Sequence, residues 1–230
     1  MGGVYRRAPM TAETPSTLVD AWPIFGLRLR TARLVLRLPT DDGLVALADL
    51  AQAGIHGADE MPFARPWSTL EGPAFYRNFV GYHWTMRGAW TPESWTLNLM
   101  IELDGAPIGS QSILAERFAT FRTVRTGSWL GRAFQRRGFG REMREAVLGF
   151  GFDGLGALVA ETEAFTDNAA SNAVSRSIGY AENGIEQFAP LGVPRDVQRF
   201  RMTVEAWRSR PRPPLTIEGL EACRDLFGAD

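Results

Sequence analysis

The chain has 230 residues, 45% hydrophobic and 22% charged, with a net charge of −1 and a single cysteine. At about 100–200 residues per domain this is one large domain or two small ones, with enough apolar side chains for a core that needs no staples. The lone cysteine excludes an internal disulfide and a cysteine-based zinc site. No block of like charge suggests a nucleic-acid surface, and no apolar run approaches a membrane span. The N-terminal stretch has arginines but no apolar h-region. We therefore expect a cytoplasmic protein with no nucleic-acid partner and no membrane contact. All 25 basic residues are arginine, which leaves no lysine for a Schiff base or a Walker phosphate site.

Residues 1–21 lack periodicity, are rich in Thr, Pro, Ser and Ala, and read as a disordered tail. Leu34–Leu38 reads as a strand, and Asp41 or Asp42 caps a helix running to about Ala53. Gly54–Pro66 is irregular. Ser68, with Glu71 three residues on, forms a capping-box pattern for a second helix to about Arg87. Trp95–Leu103 alternates, with Trp95, Leu97, Leu99 and Ile101 on one face. Asp104-Gly105 is a two-residue hairpin turn, from which Ala106–Leu114 returns antiparallel. Thr123–Leu130 is a further strand. Gly138–Phe152 is an amphipathic helix with Met143, Val147 and Phe150 on one stripe. A strand over Leu155–Phe165 precedes a helix over Asn168–Ser177, which ends at Gly179-Tyr180. Strands near Ile185–Ala189 and Val197–Val204 complete a domain spanning residues 22–208. The prolines of Arg208–Pro214 block helix and sheet, so residues 209–230 read as a linker and C-terminal appendage. This order predicts an α/β fold, a mixed sheet with helices on both faces.

The stretch from Gly127 to Gly140 carries the most chemical information. A strand ends, a loop follows, and a glycine-bearing turn opens a helix. Backbone N–H groups in such a turn, the positive end of the helix, and Arg136, Arg137 and Arg141 together suit a pyrophosphate. Gln135-x-x-Gly138-x-Gly140 is a weak pattern alone and also describes an ordinary turn before a helix.

This pattern resembles motif A of the GCN5-related N-acetyltransferases (GNAT). Asn168-Ala169-Ala170-Ser171, Val174 and Ile178-Gly179-Tyr180 are similar to the signature of the RimJ/RimL-type ribosomal-protein acetyltransferases. Leu29–Arg37, followed by Asp41-Asp42, resembles the start of that branch. Met61-Pro62-Phe63, Pro66-Trp67 and Gly127–Gly131 resemble an actinobacterial subgroup, and some acyltransferases of this kind use succinyl-CoA. The resemblance covers about residues 24–205. It implies a mostly antiparallel sheet with a V-shaped splay, a bulge in Val124–Leu130 parting it from Leu155–Phe165, and an acyl-CoA arm lying in the gap. It assigns Trp129, Leu130, Gly131, Gln135, Arg136, Arg137, Gly138, Phe139, Gly140, Arg141, Asn168 and Ser171 to the cofactor. The implied cofactors are acetyl-CoA or succinyl-CoA, with no metal.

Acyl transfer to an amine needs a base, an oxyanion donor and a proton for the leaving thiolate. The family places the proton donor at Ser171, while Ser175 stands where many superfamily members carry a tyrosine acid. Glu116 is the leading base, with Glu102 and Glu161 as alternatives and His56 and His83 as weaker ones. Glu60, Phe63, Trp67 and His83 are the expected acceptor contacts, and Arg65, Arg122 or Arg125 could recruit a carboxylate. The expected activity is direct acyl transfer to a small-molecule or peptide amine. A non-catalytic acyl-CoA sensor and a nucleotide-phosphate binder are the rival readings, and a homodimer is left open.

Overall fold

The computed structural model describes residues 17–57 and 59–229. Among the described residues nine strands form one open sheet: β1 (Arg28–Arg30), β2 (Leu34–Arg37), β3 (Ser94–Leu103), β4 (Ala106–Glu116), β5 (Thr123–Leu130), β6 (Val159–Phe165), β7 (Ala181–Phe188), β8 (Arg195–Thr203) and β9 (Thr216–Glu218). Their order is β7-β8-β6-β5-β4-β3-β2-β1-β9. Every neighbouring pair is antiparallel except β5 and β6. The helices are α1 (Leu18–Ala21), α2 (Asp41–Gln52), α3 (Gly72–Gly88), α4 (Phe118–Phe121), α5 (Phe139–Gly149), α6 (Ala169–Ile178) and α7 (Val204–Arg208).

The β3–β4 hairpin behaves as its sequence dictates. Asp104 and Gly105 both have positive φ, 51° and 81°, the geometry that matches the twist of the flanking strands. Trp95, Leu97, Leu99 and Ile101 alternate onto one buried face and join α5 in the main core. Met100, on the opposite face, joins a second cluster with Leu47, Ala48, Phe75 and Phe79 from α2 and α3. Helices thus cover both faces of the sheet, as expected.

Several boundaries differ from expectation. Thr40, not Asp41 or Asp42, caps α2 by accepting from the Gly43 N–H at 3.1 Å. Asp41 is drawn instead to Trp84 and Arg87 of α3, at 3.1 and 2.8 Å. The Ser68 capping box does not form. The Ser68 hydroxyl meets His56 Nε2 at 2.8 Å, and α3 starts later, with a proline in its first turn. α5 loosens into a π-turn at Phe150–Gly154, so the chain reaches β6 four residues later than predicted. The predicted tail lies outside the described residues up to residue 16, but Thr17 caps the α1 turn, which ends at Ala21.

The C-terminal residues are not a separate appendage. β9 pairs with β1 and covers that edge of the sheet. Phe227 is fully buried, with ring centroids 4.9 Å from Trp95 and 5.5 Å from Phe150. Two indoles reach this segment: Trp90 Nε1 donates to the Leu226 carbonyl at 2.8 Å and Trp95 Nε1 to that of Phe227 at 3.1 Å. Replacing Phe227 by Ala should therefore cost about 3–5 kcal/mol of unfolding free energy, as for other buried aromatics. Urea denaturation measures this, and a midpoint equal to that of the parent would make the segment a dispensable tail.

Candidate active site

β5 and β6 begin side by side and then part. Their parallel pairing runs only from Thr123↔Val159 to Thr126↔Thr162. Beyond that point β5 stays paired with β4 as far as Leu130, and β6 with β8 as far as Phe165. The predicted splay is present, but the predicted bulge in β5 is not. The β4–β5 register is unbroken from Leu114↔Arg125 to Gly109↔Leu130, and the irregularity falls between β3 and β4, at Ile101/Glu102. The Thr126 carbonyl turns toward β6, where it accepts from Thr162 Oγ1 at 3.0 Å. Strand alternation then turns the backbone groups of Ser128 and the N–H of Leu130 into the gap. The Leu130 carbonyl is already used by the Gln135 amide at 2.9 Å, and the Gly131 N–H by the Ile108 carbonyl at 3.0 Å.

At the mouth of this gap lies the turn into α5. Arg136 (φ 58°) and Gly138 (φ 82°) are left-handed and alternate with residues of ordinary φ. Such alternation turns successive N–H groups into a concave nest for an anion. Within the described residues, the N–H groups from Arg136 to Arg141 meet no acceptor, and the first one used is that of Glu142, on the Gly138 carbonyl at 3.2 Å. Arg136 has a Cβ, so its left-handed backbone is strained, and such strain concentrates at functional turns. The turn is anchored from outside. Arg33 Nε donates to Glu142 at 2.7 Å, and the guanidiniums of Arg33 and Arg137 lie 4.4 and 5.2 Å from the Phe139 ring centroid. Gln135 is an anchor too, donating to the Ile55 carbonyl at 2.8 Å.

α6 flanks the β6 side. Asn168 caps it, its Oδ1 accepting from the Ser171 N–H at 3.1 Å. Ser175 is buried and donates back to the Ser171 carbonyl at 3.1 Å, so its hydroxyl is spent. The Ser171 side chain is half-buried, and no protein acceptor or donor engages it among the described residues. Asn172, which the sequence did not single out, is buried and donates to the Phe165 carbonyl at 2.9 Å, while its Oδ1 is left without a partner.

The opposite face of the gap is aromatic. Trp129 leans on Trp67 (5.9 Å between centroids), and Trp67 stacks on Phe75 (6.1 Å) and packs at a tilt against Phe63 (5.0 Å) and Phe79 (5.7 Å). Glu60 closes its own loop by accepting from the Gly57 N–H at 2.9 Å. Arg195 ties this loop to the sheet. It donates to the Met61 carbonyl at 2.6 Å, pairs with Asp167 at 2.7 Å, and lies 3.9 Å from the Phe165 ring centroid. No feature of the sequence pointed to this bracket.

Two expected residues lie elsewhere. Glu116 ends β4 opposite Ser94, three residues past Ile113, the β4 partner of Thr126. At about 3.3 Å per residue it is roughly 10 Å from where the strands part, in the direction away from the gap. His83 is buried in α3 against Phe79, with ring centroids 4.9 Å apart. Burial, reinforced by the Arg87 charge, lowers its pKa to about 4, so it is a neutral packing group at neutral pH and not an acceptor contact. An exposed carboxylate, Glu163, stands one residue beyond the last β5–β6 pair, opposite Arg199 of β8. On β6 it alternates with Thr162, which faces α5, so it shares the aromatic face. Partial desolvation raises its pKa first, with the Glu186 and Glu161 charges adding to the rise and Arg199 and Arg125 opposing it.

These features belong together in one family. A family model described as an acetyltransferase (GNAT) domain matches residues 33–181, and the chain belongs to that family. Solved structures of the same fold include Mycobacterium smegmatis RimJ in complex with CoA-disulfide. That match has a TM-score of 0.63 and 17% identity over 88% of this chain and 94% of that one. RimL, a ribosomal L7/L12 alpha-N-protein acetyltransferase in complex with coenzyme A, superposes with a TM-score of 0.60 at 18% identity, covering 76% and 97%. The microcin C7 self-immunity acetyltransferase MccE, in complex with acetyl-CoA and AMP, gives 0.59 at 16%, covering 75% and 93%. Among the described residues no group of His, Cys, Asp and Glu could hold a metal, and no helix is long and apolar enough to cross a membrane.

A Cβ at position 138 would have to occupy a left-handed backbone, at a cost of about 1–2 kcal/mol, or unwind the nest. Gly138→Ala should weaken coenzyme A binding about tenfold in calorimetry; undiminished affinity would remove the nest from the site. For His83 the folded pKa is depressed, so the unfolded chain binds a proton that the native state refuses. Stability should fall as pH drops from about 6.5 to about 4, by an amount on the order of 2–3 kcal/mol, and the slope should flatten in His83→Phe. Urea midpoints across that pH range test this.

Proposed function

We propose that the protein is an acyl-CoA-dependent N-acyltransferase, moving an acetyl or succinyl group directly to a primary amine within a ternary complex. One observation carries the reading. A nest of unspent N–H groups, Arg136 to Arg141, opens onto a gap inside an otherwise continuous sheet. A diphosphate fits the nest, through its anionic oxygens and the positive helix end, with Arg136, Arg137 and Arg141 adding charge. The pantetheine amides fit the gap as an added strand against the backbone of Ser128, with Asn168 and Trp129 at its sides, which leaves the Leu130 N–H for the reacting carbonyl.

In this reading the acceptor amine arrives on the aromatic face, over Phe63, Trp67 and Trp129. Glu163 takes the ammonium proton, which frees the lone pair. The nitrogen attacks the thioester carbonyl, the oxyanion is held by the Leu130 N–H, and the C–S bond then breaks as the tetrahedral centre collapses. Ser171 relays the second proton of the attacking nitrogen to the departing thiolate, so the amide leaves neutral and the serine hydroxyl is regenerated. Glu163 replaces Glu116 as base because it is the carboxylate at the gap, and its raised pKa brings a carboxylate nearer to the operating range of a base. The rival reading is a coenzyme A module without turnover, and it draws on the buried, back-bonded Ser175 where many superfamily members carry a tyrosine acid.

Free-thiol release from acetyl-CoA and succinyl-CoA, assayed across a panel of peptide and small-molecule amines, separates the two. Turnover that falls more than tenfold in Ser171→Ala excludes a purely binding role. Absence of any acyl-CoA binding below millimolar removes both readings. Glu163→Gln should lower kcat about 10²-fold or more, within the range of a lost general base, and leave acetyl-CoA affinity unchanged. The parent rate should rise with pH through the Glu163 pKa, and the variant should lose that limb.

A further inference from the structure

Arg144 has no use in the reaction described above, yet it occupies the point where β5 and β6 part. It projects from the second turn of α5 and is only 3% exposed. Nη1 donates to Thr162 Oγ1 on β6 at 3.1 Å, and Nη2 to Ser128 Oγ on β5 at 3.2 Å. The guanidinium therefore spans the two strands just where the next backbone rung is missing.

Among the described residues no carboxylate pairs with Arg144, whereas the neighbouring Glu145 is taken by Arg141 and Arg210. Nε has no hydrogen-bond partner. The Tyr180 hydroxyl, also buried, stands beside it without a well-formed bond to any group. Burial disfavours the charged form, and Tyr180 is the group that opposes this. An arginine stays protonated even so, and a buried cation without a counter-ion is costly unless something supplies the anion. Two hydroxyls occupy a fraction of its five donors, and the planar fork suits a carboxylate.

We infer that Arg144 is a specificity-determining residue for the acyl group: it receives a terminal carboxylate on the acyl chain of the donor, so the preferred donor is a dicarboxylic acyl-CoA. This rests on the β5–β6 gap being the coenzyme A site. The carboxylate approaches from the α5 side of the gap and the amine from the aromatic side, so the two do not compete for space. Ser128 and Thr162 hold the guanidinium before the ligand arrives, which lowers the cost of ordering it.

The test compares succinyl-CoA, butyryl-CoA and acetyl-CoA by calorimetry on the full chain. Succinyl and butyryl have the same number of carbons and differ in the terminal charge. The parent should bind succinyl-CoA at least about tenfold tighter than butyryl-CoA, the scale of a charge-assisted pair. Arg144→Met should bring that ratio to near one while acetyl-CoA affinity changes little, and Arg144→Lys, which keeps the charge and suits a variant that fails to fold as Met, should retain part of it. Equal affinity of the parent for succinyl-CoA and butyryl-CoA overturns the inference and leaves the site assignment standing. Equal losses for all three donors in both variants also overturn it, since Arg144 would then only prop the strands apart. Failure of the parent to bind any coenzyme A ester overturns the site assignment and this inference with it.

Discussion

The structure depends on a limited parallel pairing. β5 and β6 share four register positions and then diverge, while each remains paired on its outer side. The inner edges are therefore not frayed ends. They are held apart by strands that are themselves fixed, and their polar groups face one another across a gap that neither can close. Unpaired backbone groups inside a sheet are expensive, so such a gap persists only where something else meets them. On the α5 side the protein provides side chains, with Thr162 on the Thr126 carbonyl and Arg144 across both strands. The backbone groups of Ser128 and the N–H of Leu130 face the gap, and in the proposed reading they meet the ligand.

The two faces of the gap have different chemistry because different helices cover them. α5 begins at the gap's mouth, and the backbone that turns into it supplies the nest. α6 enters on the β6 side through the Asn168 cap. On the other face, α2 and α3 enclose a second apolar cluster whose outer rim is Phe63, Trp67 and Trp129. These rings are partly core and partly wall. Trp67 touches four other rings, which makes it a stiff surface and not a free recognition group. Arg195 fastens the loop above it, so the wall holds its position relative to β6.

The C-terminal residues support this arrangement from behind. β9 covers the β1 edge, Phe227 packs on Phe150 at the end of α5, and Arg210 pairs with Glu145 in the middle of that helix. A shallow hollow of about 460 Å³ beneath this strap is lined by Asp153, Arg208, Arg210 and Arg212. Arg210 and Arg212 are already paired with Glu145 and Asp153, so it is a by-product of the strap's path. The strap fixes α5, and α5 carries both the nest and Arg144.

By itself the sequence determined the features that a few consecutive residues encode. The Asp104-Gly105 turn, the alternation of β3, the glycine turn before α5 and the Asn168 start of α6 all follow from local backbone preference or periodicity. The tertiary structure decided whatever depends on register between distant strands. Glu116 and Glu163 both sit at or near a strand end, and only the pairing partners reveal that one is roughly 10 Å from the gap and the other beside it. His83, a helical histidine between aromatics, reads as packing or as an acceptor contact, and its burial in α3 against Phe79 decides for packing. The three-residue strands β1 and β9 were too short to show periodicity, and the prolines before β9 disguised a segment whose order comes from the edge it covers. Arg144 reads as a polar position next to an apolar stripe, as it would on any surface helix. Its burial arises because the sheet above that helix opens, a consequence of strand geometry that no neighbouring residue specifies.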